Sequence, residues 1–199
     1  GGLIQMADGA FYGTTKQGGL KNNGTIFRLE PAGTLNVIKS LGVVSRDIMQ
    51  PEGTLLSASD GMLYGTCALG GNTGNGGVFR VAPDGSRFEV VHHFGMTVDG
   101  ARQPNAGLIE VAAGSLLGTS FSGGAKDLGA IFKLDKDGRN YQTLHSFAGG
   151  PTDGVRSRAK LTQGLPGIFY STTLSGGSTG LGTIFQLTVP ELGDSAARR

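Results

Sequence analysis

Tryptophan is missing from this 199-residue chain, cysteine occurs once, and aromatic residues make up only 7% of it. A single cysteine, Cys67, excludes an internal disulfide and leaves the redox compartment open. No apolar run reaches the roughly 18 residues of a membrane-spanning helix. The formal net charge of +2 is close to balance, which removes the electrostatic case for a nucleic-acid partner. Enzyme signatures of the G-x-S-x-G, H-E-x-x-H and P-loop kinds do not occur. No segment keeps a helical period for three turns, because glycine and proline interrupt too often. The chain starts at Gly1 rather than Met, which we read as processed or excerpted, so the lack of a leader here says nothing about export.

Glycine is abundant instead: 37 residues, more than twice the usual share of about 7%. The glycines recur at fixed places, because one phrase is written four times: GTIFRL (24–29), GGVFRV (76–81), GAIFKL (129–134) and GTIFQL (182–187). Its phenylalanines, Phe27, Phe79, Phe132 and Phe185, lie 52, 53 and 53 residues apart. A second phrase starts about fifteen residues upstream: FYGTT (11–15), LYGTC (63–67), LLGTS (116–120) and FYSTT (169–173). Gly-Gly pairs follow at Gly18, Gly70, Gly123 and Gly176. Turns ending in Gly9, Gly61, Gly114 and Gly167 precede, and PAG (31–33), PDG (83–85) and KDG (136–138) come after. Then come NVIKSL (36–41), EVVHHF (89–94) and QTLHSF (142–147), with no fourth copy. Matched landmarks in register are the mark of a repeat architecture.

Each unit reads as four short strands. Strand one is LIQMA (3–7), LLSAS (55–59), LIEVA (108–112) or LTQGL (161–165). Strands two and three are the two phrases above, and strand four is the VIKSL-like segment. Asp-Gly and similar dipeptides suit tight antiparallel turns between one and two and between three and four. Strand three alternates, with Ile26 and Arg28 on one face and Phe27 and Leu29 on the other. Strand two carries adjacent apolar residues, Phe11-Tyr12 and Leu63-Tyr64, so both of its faces are covered. A four-stranded sheet sandwiched between copies of itself is a propeller blade. The sequence therefore predicts an all-β fold: a β-propeller of four-stranded antiparallel blades, as part of a larger propeller or as a small ring. An open solenoid of stacked sheets is the rival. The units are 1–52, 53–105, 106–158 and an incomplete 159–192, with a polar tail at 193–199. The small residue after each tyrosine position (Gly13, Gly65, Gly118, Ser171) is expected where strands crowd near an axis. The four phenylalanines are expected to pack between blades.

DGAFYGTTKQGG and NGTIFRLEPAG (8–19 and 23–33) resemble the GloVer tandem repeat, named for Gloeobacter and Verrucomicrobia. Units one to three match most of its landmarks, and HSF (145–147) matches the last. Unit four departs at Ser171 and Pro166. The resemblance covers essentially the whole chain. It implies a propeller-like repeat protein, often exported and surface-attached in bacteria, and it implies no activity, so no catalytic residue carries over.

In an up-and-down blade, the two-three loops and the links between blades share one end. Here both sets are long, as in KQGGLKNNG (16–24) and GVVSRDIMQPEG (42–53), and binding residues concentrate on long loops held by rigid scaffolds. Asp47, Asp99 and Asp153 sit six, five and six residues beyond Leu41, Phe94 and Phe147, and Arg102 and Arg156 each follow an aspartate by three. These five are the candidate ligand-binding residues, as Asp/Arg pairs that grip a polar ligand such as a carbohydrate. The plainer reading is that Asp makes a turn through its side chain and arginine pairs with it. A calcium site needs six or more oxygens, and no loop supplies an Asp-rich series. His92, His93, His145 and Cys67 read as structural; no cofactor is expected, and a cation at the rim aspartates, calcium above all, is the weak alternative to a carbohydrate.

The expected function is a non-enzymatic bacterial repeat module that binds or displays at the cell surface or outside the cell. Its ligand would be a glycan or a protein on the long-loop rim, with further repeats of the same chain as neighbours. The alternatives are a polysaccharide-active hydrolase or lyase using the rim aspartates, and a purely structural segment of a larger surface protein.

Overall fold

The two phrases of each repeat meet across one ladder. In a computed structural model, which describes residues 1–111 and 114–192, Phe27 stands opposite Gly13, Phe79 opposite Gly65, Phe132 opposite Gly118 and Phe185 opposite Ser171. The ring occupies the place of the missing side chain. A Cβ on Gly13 would come within 2.7 Å of Phe27 Cζ and of Leu3 Cδ2, and one on Gly118 within 2.5 Å of Phe132 Cζ. The crowding expected at these glycines is therefore real, but its source is the cross-strand ring and the strand-one leucine.

Four units follow in chain order, each built on one main antiparallel sheet among the described residues. The first runs β1 (Ile4–Gln5), β2 (Phe11–Thr15), β3 (Thr25–Leu29), β4 (Leu35–Ser40). In the second, β6 (Leu56–Ser57), β7 (Leu63–Gly70), β8 (Gly77–Val81) and β9 (Phe88–His93) pair in turn, and β5 (Ile48–Pro51) adds to the far end of β7. The third unit contains β10 (Ala101–Arg102), β11 (Ile109–Val111), β12 (Ser115–Ser120), β13 (Ser122–Gly123), β14 (Ala130–Asp135) and β15 (Gln142–Ser146). Its main sheet is β11-β12-β14-β15, and β10 pairs separately with β13. The fourth has β16 (Gly154–Val155) on β19 (Ser175–Gly176). Beside that pair is a three-stranded sheet of β17 (Thr162–Gln163), β18 (Ile168–Thr172) and β20 (Ile184–Thr188). A 3-10 turn at Pro190–Leu192 follows where strand four would start. The tail at 193–199, and Ala112 and Ala113 of the third unit, lie outside the described residues.

Strict alternation gives every sheet two distinct faces. One carries the ring and its neighbours: Leu63, Cys67, Phe79 and Val81 of unit two pack with Ala10, Tyr12 and Ile26 of unit one in a single buried cluster. The opposite face of unit two, Tyr64 and Val78, packs with Leu108, Leu116, Phe132 and Leu134 of unit three. Leu117 and Ile131 then meet Leu161 and Phe169 of unit four. The cores thus lie between sheets, and each sheet depends on its neighbours for burial. Phe79 and Phe132 are fully buried there; Phe185 is partly buried against its cluster. Cys67 is a buried filler, and burial first, with Asp47 adding to it, pushes its thiol well above the ordinary range.

Two further devices tie sheet to sheet. The threonines of the YGT phrases in units two and three reach the next unit: Thr66 Oγ1 donates to the Ala106 carbonyl at 2.9 Å, and Thr119 Oγ1 to that of Ala159 at 3.1 Å, whereas Thr14 Oγ1 is buried without such a bond. In strand four, the ladder shifts register after Ile26, Val78 and Ile131, leaving Ile38, Val91 and Leu144 as bulge residues. The first two bulges receive the three-four turns of units two and three, where Gly85 and Gly138 approach Ile38 and Val91.

Thr66→Val removes one donor and leaves the buried Ala106 carbonyl unpaired, so it should cost about 1–3 kcal/mol in urea unfolding. Thr172→Val, at the exposed equivalent in unit four, should stay within about 0.5 kcal/mol. Gly118→Ala should cost about 1–3 kcal/mol by overpacking. An unchanged midpoint in Gly118→Ala would show that the ring can move aside.

Candidate functional site

The long-loop rim is a laced surface rather than a set of free loops. In units two to four the second glycine of the Gly-Gly pair donates to a link carbonyl: Gly71 to Asp47, Gly124 to Gly100 and Gly177 to Asp153, at 3.0, 3.1 and 3.0 Å. Both glycines of every pair have positive φ, and a Cβ on Gly176 would sit 2.5 Å from the Asp153 carbonyl oxygen. The pairs are glycine because link and loop touch through their backbones. Three residues further on, Gln50, Gln103 and Arg156 each donate their N–H to the loop of the preceding unit, at Asn23, Asn75 and Leu128. All three are left-handed non-glycine residues, with φ of 57°, 51° and 59°. Each link therefore staples two neighbouring loops.

This register sorts the five candidate rim residues. Asp47 and Asp153 are equivalent and both act within their own loops. Asp47 accepts from the N–H groups of Val43 and Ile48 at 3.1 and 2.9 Å. Asp153 accepts from Ala148 and Gly154 at 2.7 Å each, and its Oδ2 lies 3.2 Å from His145 Nε2. Asp99 is not their equivalent: Gly100 holds that place, and Asp99 is exposed. Arg102 and Arg156 are likewise one position apart in the repeat. Arg102 Nη1 lies 3.6 Å from Asp127 Oδ1. The Arg156 guanidinium covers the Phe121 ring at 5.1 Å, beside that of Arg158 at 4.5 Å. Neither Asp99 and Arg102 nor Asp153 and Arg156 pair within their link: Asp153 caps its own turn, Asp99 is exposed, and each arginine faces a different neighbour.

The histidines diverge as well. His92, in the place of His145, has no aspartate partner and stacks on Tyr141 at 4.6 Å and 13°. The Tyr141 hydroxyl accepts from the Ala101 N–H at 2.7 Å. Burial holds both His92 and His93 below the ordinary histidine value, a bond to the Gly138 backbone partly offsetting it at His92. Among the described residues, no group of three His, Cys, Asp or Glu side chains is placed to hold a metal ion.

A larger opening lies at the opposite end, among the tight turns. Between units one and two is a cleft of about 570 Å³ lined by Asp8, Tyr12, Arg28, Asn36, Pro83 and Asp84, among others. Arg28 Nε donates to Tyr12 Oη at 2.8 Å and Nη2 to Asp8 Oδ2 at 3.0 Å, while Nη1 pairs with Glu30. The Arg28 guanidinium, then the Ala10 N–H, hold the Asp8 carboxyl below its usual range. The tyrosine, aspartate and arginine recur in unit two, where Tyr64 donates to Asp60 at 2.8 Å. Burial, then the Asp60 carboxylate, push the Tyr64 phenol up to about 12. None of these residues stood out in the sequence as site candidates. The signal available was the pairing of an Asp-Gly turn with Tyr four residues on and Arg twenty residues on, in units one and two only.

The Gloeobacter/Verrucomicrobia repeat matches residues 1–195. The chain belongs to that family. No curated protein matches it. Among solved structures, a chain of a nidogen/laminin complex is similar, with a TM-score of 0.60 and 17% identity over 94% of this chain and 64% of that one. A putative gluconolactonase gives 0.57 and 21% over 95% and 63%. A gluconolactonase from Xanthomonas campestris gives 0.53 and 18% over 94% and 56%. At these identities the likeness shows the fold alone, an all-β arrangement of the propeller type. The chain spans less than two thirds of the length of each. Among the described residues, no helix is long and apolar enough to cross a membrane.

Asp47→Ala should destabilise the chain by about 1–2 kcal/mol, since it leaves two backbone donors unpaired. Asp99→Ala should stay within about 0.5 kcal/mol. Equal losses in urea melts would contradict the register given above. The histidines set a pH dependence. The fold keeps His92 and His93 neutral while the unfolded chain protonates near pH 6.5, so stability falls as pH drops below about 6.5. His92→Phe, which keeps the stack on Tyr141, should flatten that slope in thermal melts.

Proposed function

We propose that this chain is a non-enzymatic repeat module for binding or display, acting at the bacterial cell surface or outside the cell. The observation that carries this reading is the state of the rim acids. A catalytic pair needs carboxylates in unlike environments. Here Asp47 and Asp153 make the same cap, each accepting two backbone N–H groups, and Gly100 interrupts the series between them. The ligand class is a glycan or a protein surface. The nidogen likeness supports a propeller-type fold serving as an interaction platform, and the extracytoplasmic location rests on the family resemblance. The units from 1–52 to 159–192 serve as the repeating modules.

The two outer faces favour further repeats as neighbours. Leu3 is 55% exposed, whereas its equivalents Leu55, Leu108 and Leu161 are 1% exposed or less. Ile184 is 84% exposed, against 1% or less for Ile26, Val78 and Ile131. Both halves of the inter-sheet contact are thus open, one at each end of the series. Hydrogen exchange in a longer chain of this protein should show protection at Leu3 and Ile184; fast exchange at both would count against the larger ring.

The enzymatic alternative is tested with a polysaccharide panel and, because two structural neighbours are named as gluconolactonases, separately with gluconolactone. The parent chain and an Asp99→Asn/Asp153→Asn variant should both show no turnover above background. Turnover by the parent that vanishes in the variant would overturn the scaffold reading.

A further inference from the structure

The cleft between units one and two is open because unit-specific residues leave it so. The equivalent space between units two and three is filled. There Arg80 donates to Glu89 through Nε and Nη2 at 3.0 and 2.8 Å. Lys136 reaches across to Glu110 and to Ser59 Oγ at 2.7 Å, and Glu110 also accepts from the Ser59 N–H at 2.7 Å. In the first cleft the repeat equivalents of Glu89, Lys136 and Glu110 are Asn36, Pro83 and Ser57. The backbone turns around the two clefts correspond, while the ammonium and both carboxylates are gone.

What remains is a polar wall of mixed character. Arg28 spends three of its five N–H groups on Tyr12, Asp8 and Glu30, leaving two free donors. Asp84 Oδ1 is occupied by the N–H and hydroxyl of Ser86, at 2.9 and 2.6 Å. Its Oδ2 and the Asn36 amide make no hydrogen bond among the described residues. Ile38 and Pro83 add apolar surface. An anion would meet Asp8 and Asp84, and a cation would meet Arg28. A compound with many neutral hydroxyls suits both the free donors and the free acceptors, and the C–H face of a sugar ring suits Ile38 and Pro83.

We propose that this cleft binds a neutral saccharide, held by Arg28, Asn36 and Asp84. The assignment rests on the binding reading above and moves the ligand from the long-loop rim to the tight-turn end. The test is an NMR titration of the isotope-labelled 199-residue chain with glucose, N-acetylglucosamine, cellotriose and chitotriose at millimolar concentration. At least one sugar should shift the amides of residues 36–38 and 84–86. Affinity should fall more than about tenfold in a Ser57→Glu/Asn36→Glu/Pro83→Lys variant, which copies the filled cleft. Asp84→Asn, an exposed change, should weaken binding without altering the thermal midpoint and serves if the triple variant is unstable. Shifts confined to the rim loops, or binding unchanged in both variants, would overturn the cleft assignment and leave the binding reading standing. An absence of shifts with all four sugars would overturn the cleft assignment together with the glycan form of that reading.

Discussion

The contact on which the rest depends is the phenylalanine ring laid over a glycine on the neighbouring strand. It fixes the register between strands two and three in every unit, because a one-residue slip would carry the ring to the other face. Fixed register makes the two faces of each sheet different. The ring face always looks back to the preceding unit, and the face carrying Tyr12, Thr14 and Ile26 looks forward. The stack therefore has a direction, and the YGT threonine can serve as a donor to the following unit alone. Ser171 shows the limits of the constraint. Its hydroxyl bonds to the carbonyls of Ala159 and Lys160, in unit four, where Phe185, like Phe27 of unit one, is only partly buried.

A second constraint explains the glycine content. A stack of sheets with apolar faces needs connections that do not swing free, and this chain ties link to loop with backbone bonds, with side chains such as Asp47, Asp153 and Asn23 adding to them. Each link donates to the loop behind it and accepts from the loop ahead, an arrangement that works only where no Cβ intervenes. The rim is consequently built from N–H and C=O groups already engaged with one another. Length and glycine richness, which elsewhere mark mobile loops, here mark the seam between units.

The sheets were legible from the sequence because their signal is periodic twice over, within strands and between repeats. Strands two, three and four fall where the phrases place them. The short pairs at Ile48, Ala101 and Gly154 were not legible. Two to four residues carry too little alternation, and their partners lie about twenty positions on, in the next unit. The rim series depended on a looser register. Counting six residues from Leu41, Phe94 and Phe147 lands on Asp47, Gly100 and Asp153. Allowing one residue of slack admitted Asp99 and, with it, an apparent series of Asp/Arg pairs. In a protein whose register is set by close backbone contacts, no such slack exists.

That rigidity also changes where function should be sought. Residues that obey the repeat are accounted for by stacking: the rings, the glycines, the threonines and the aspartate caps. Residues that break it are free of that duty. At the first cleft, Asn36 and Pro83 stand where Glu89 and Lys136 close the second, although the fold would accommodate the closed version. Lys136 and Glu110 are largely buried, at 16% and 19% exposure, and replacing a buried ion pair as a whole is often neutral for stability, so its loss costs the fold little. The opening it leaves, lined by Arg28 and Asp84, is then a property of unit one and unit two rather than of the repeat, and the side chains around it differ between the two clefts without disturbing the ladder that holds them.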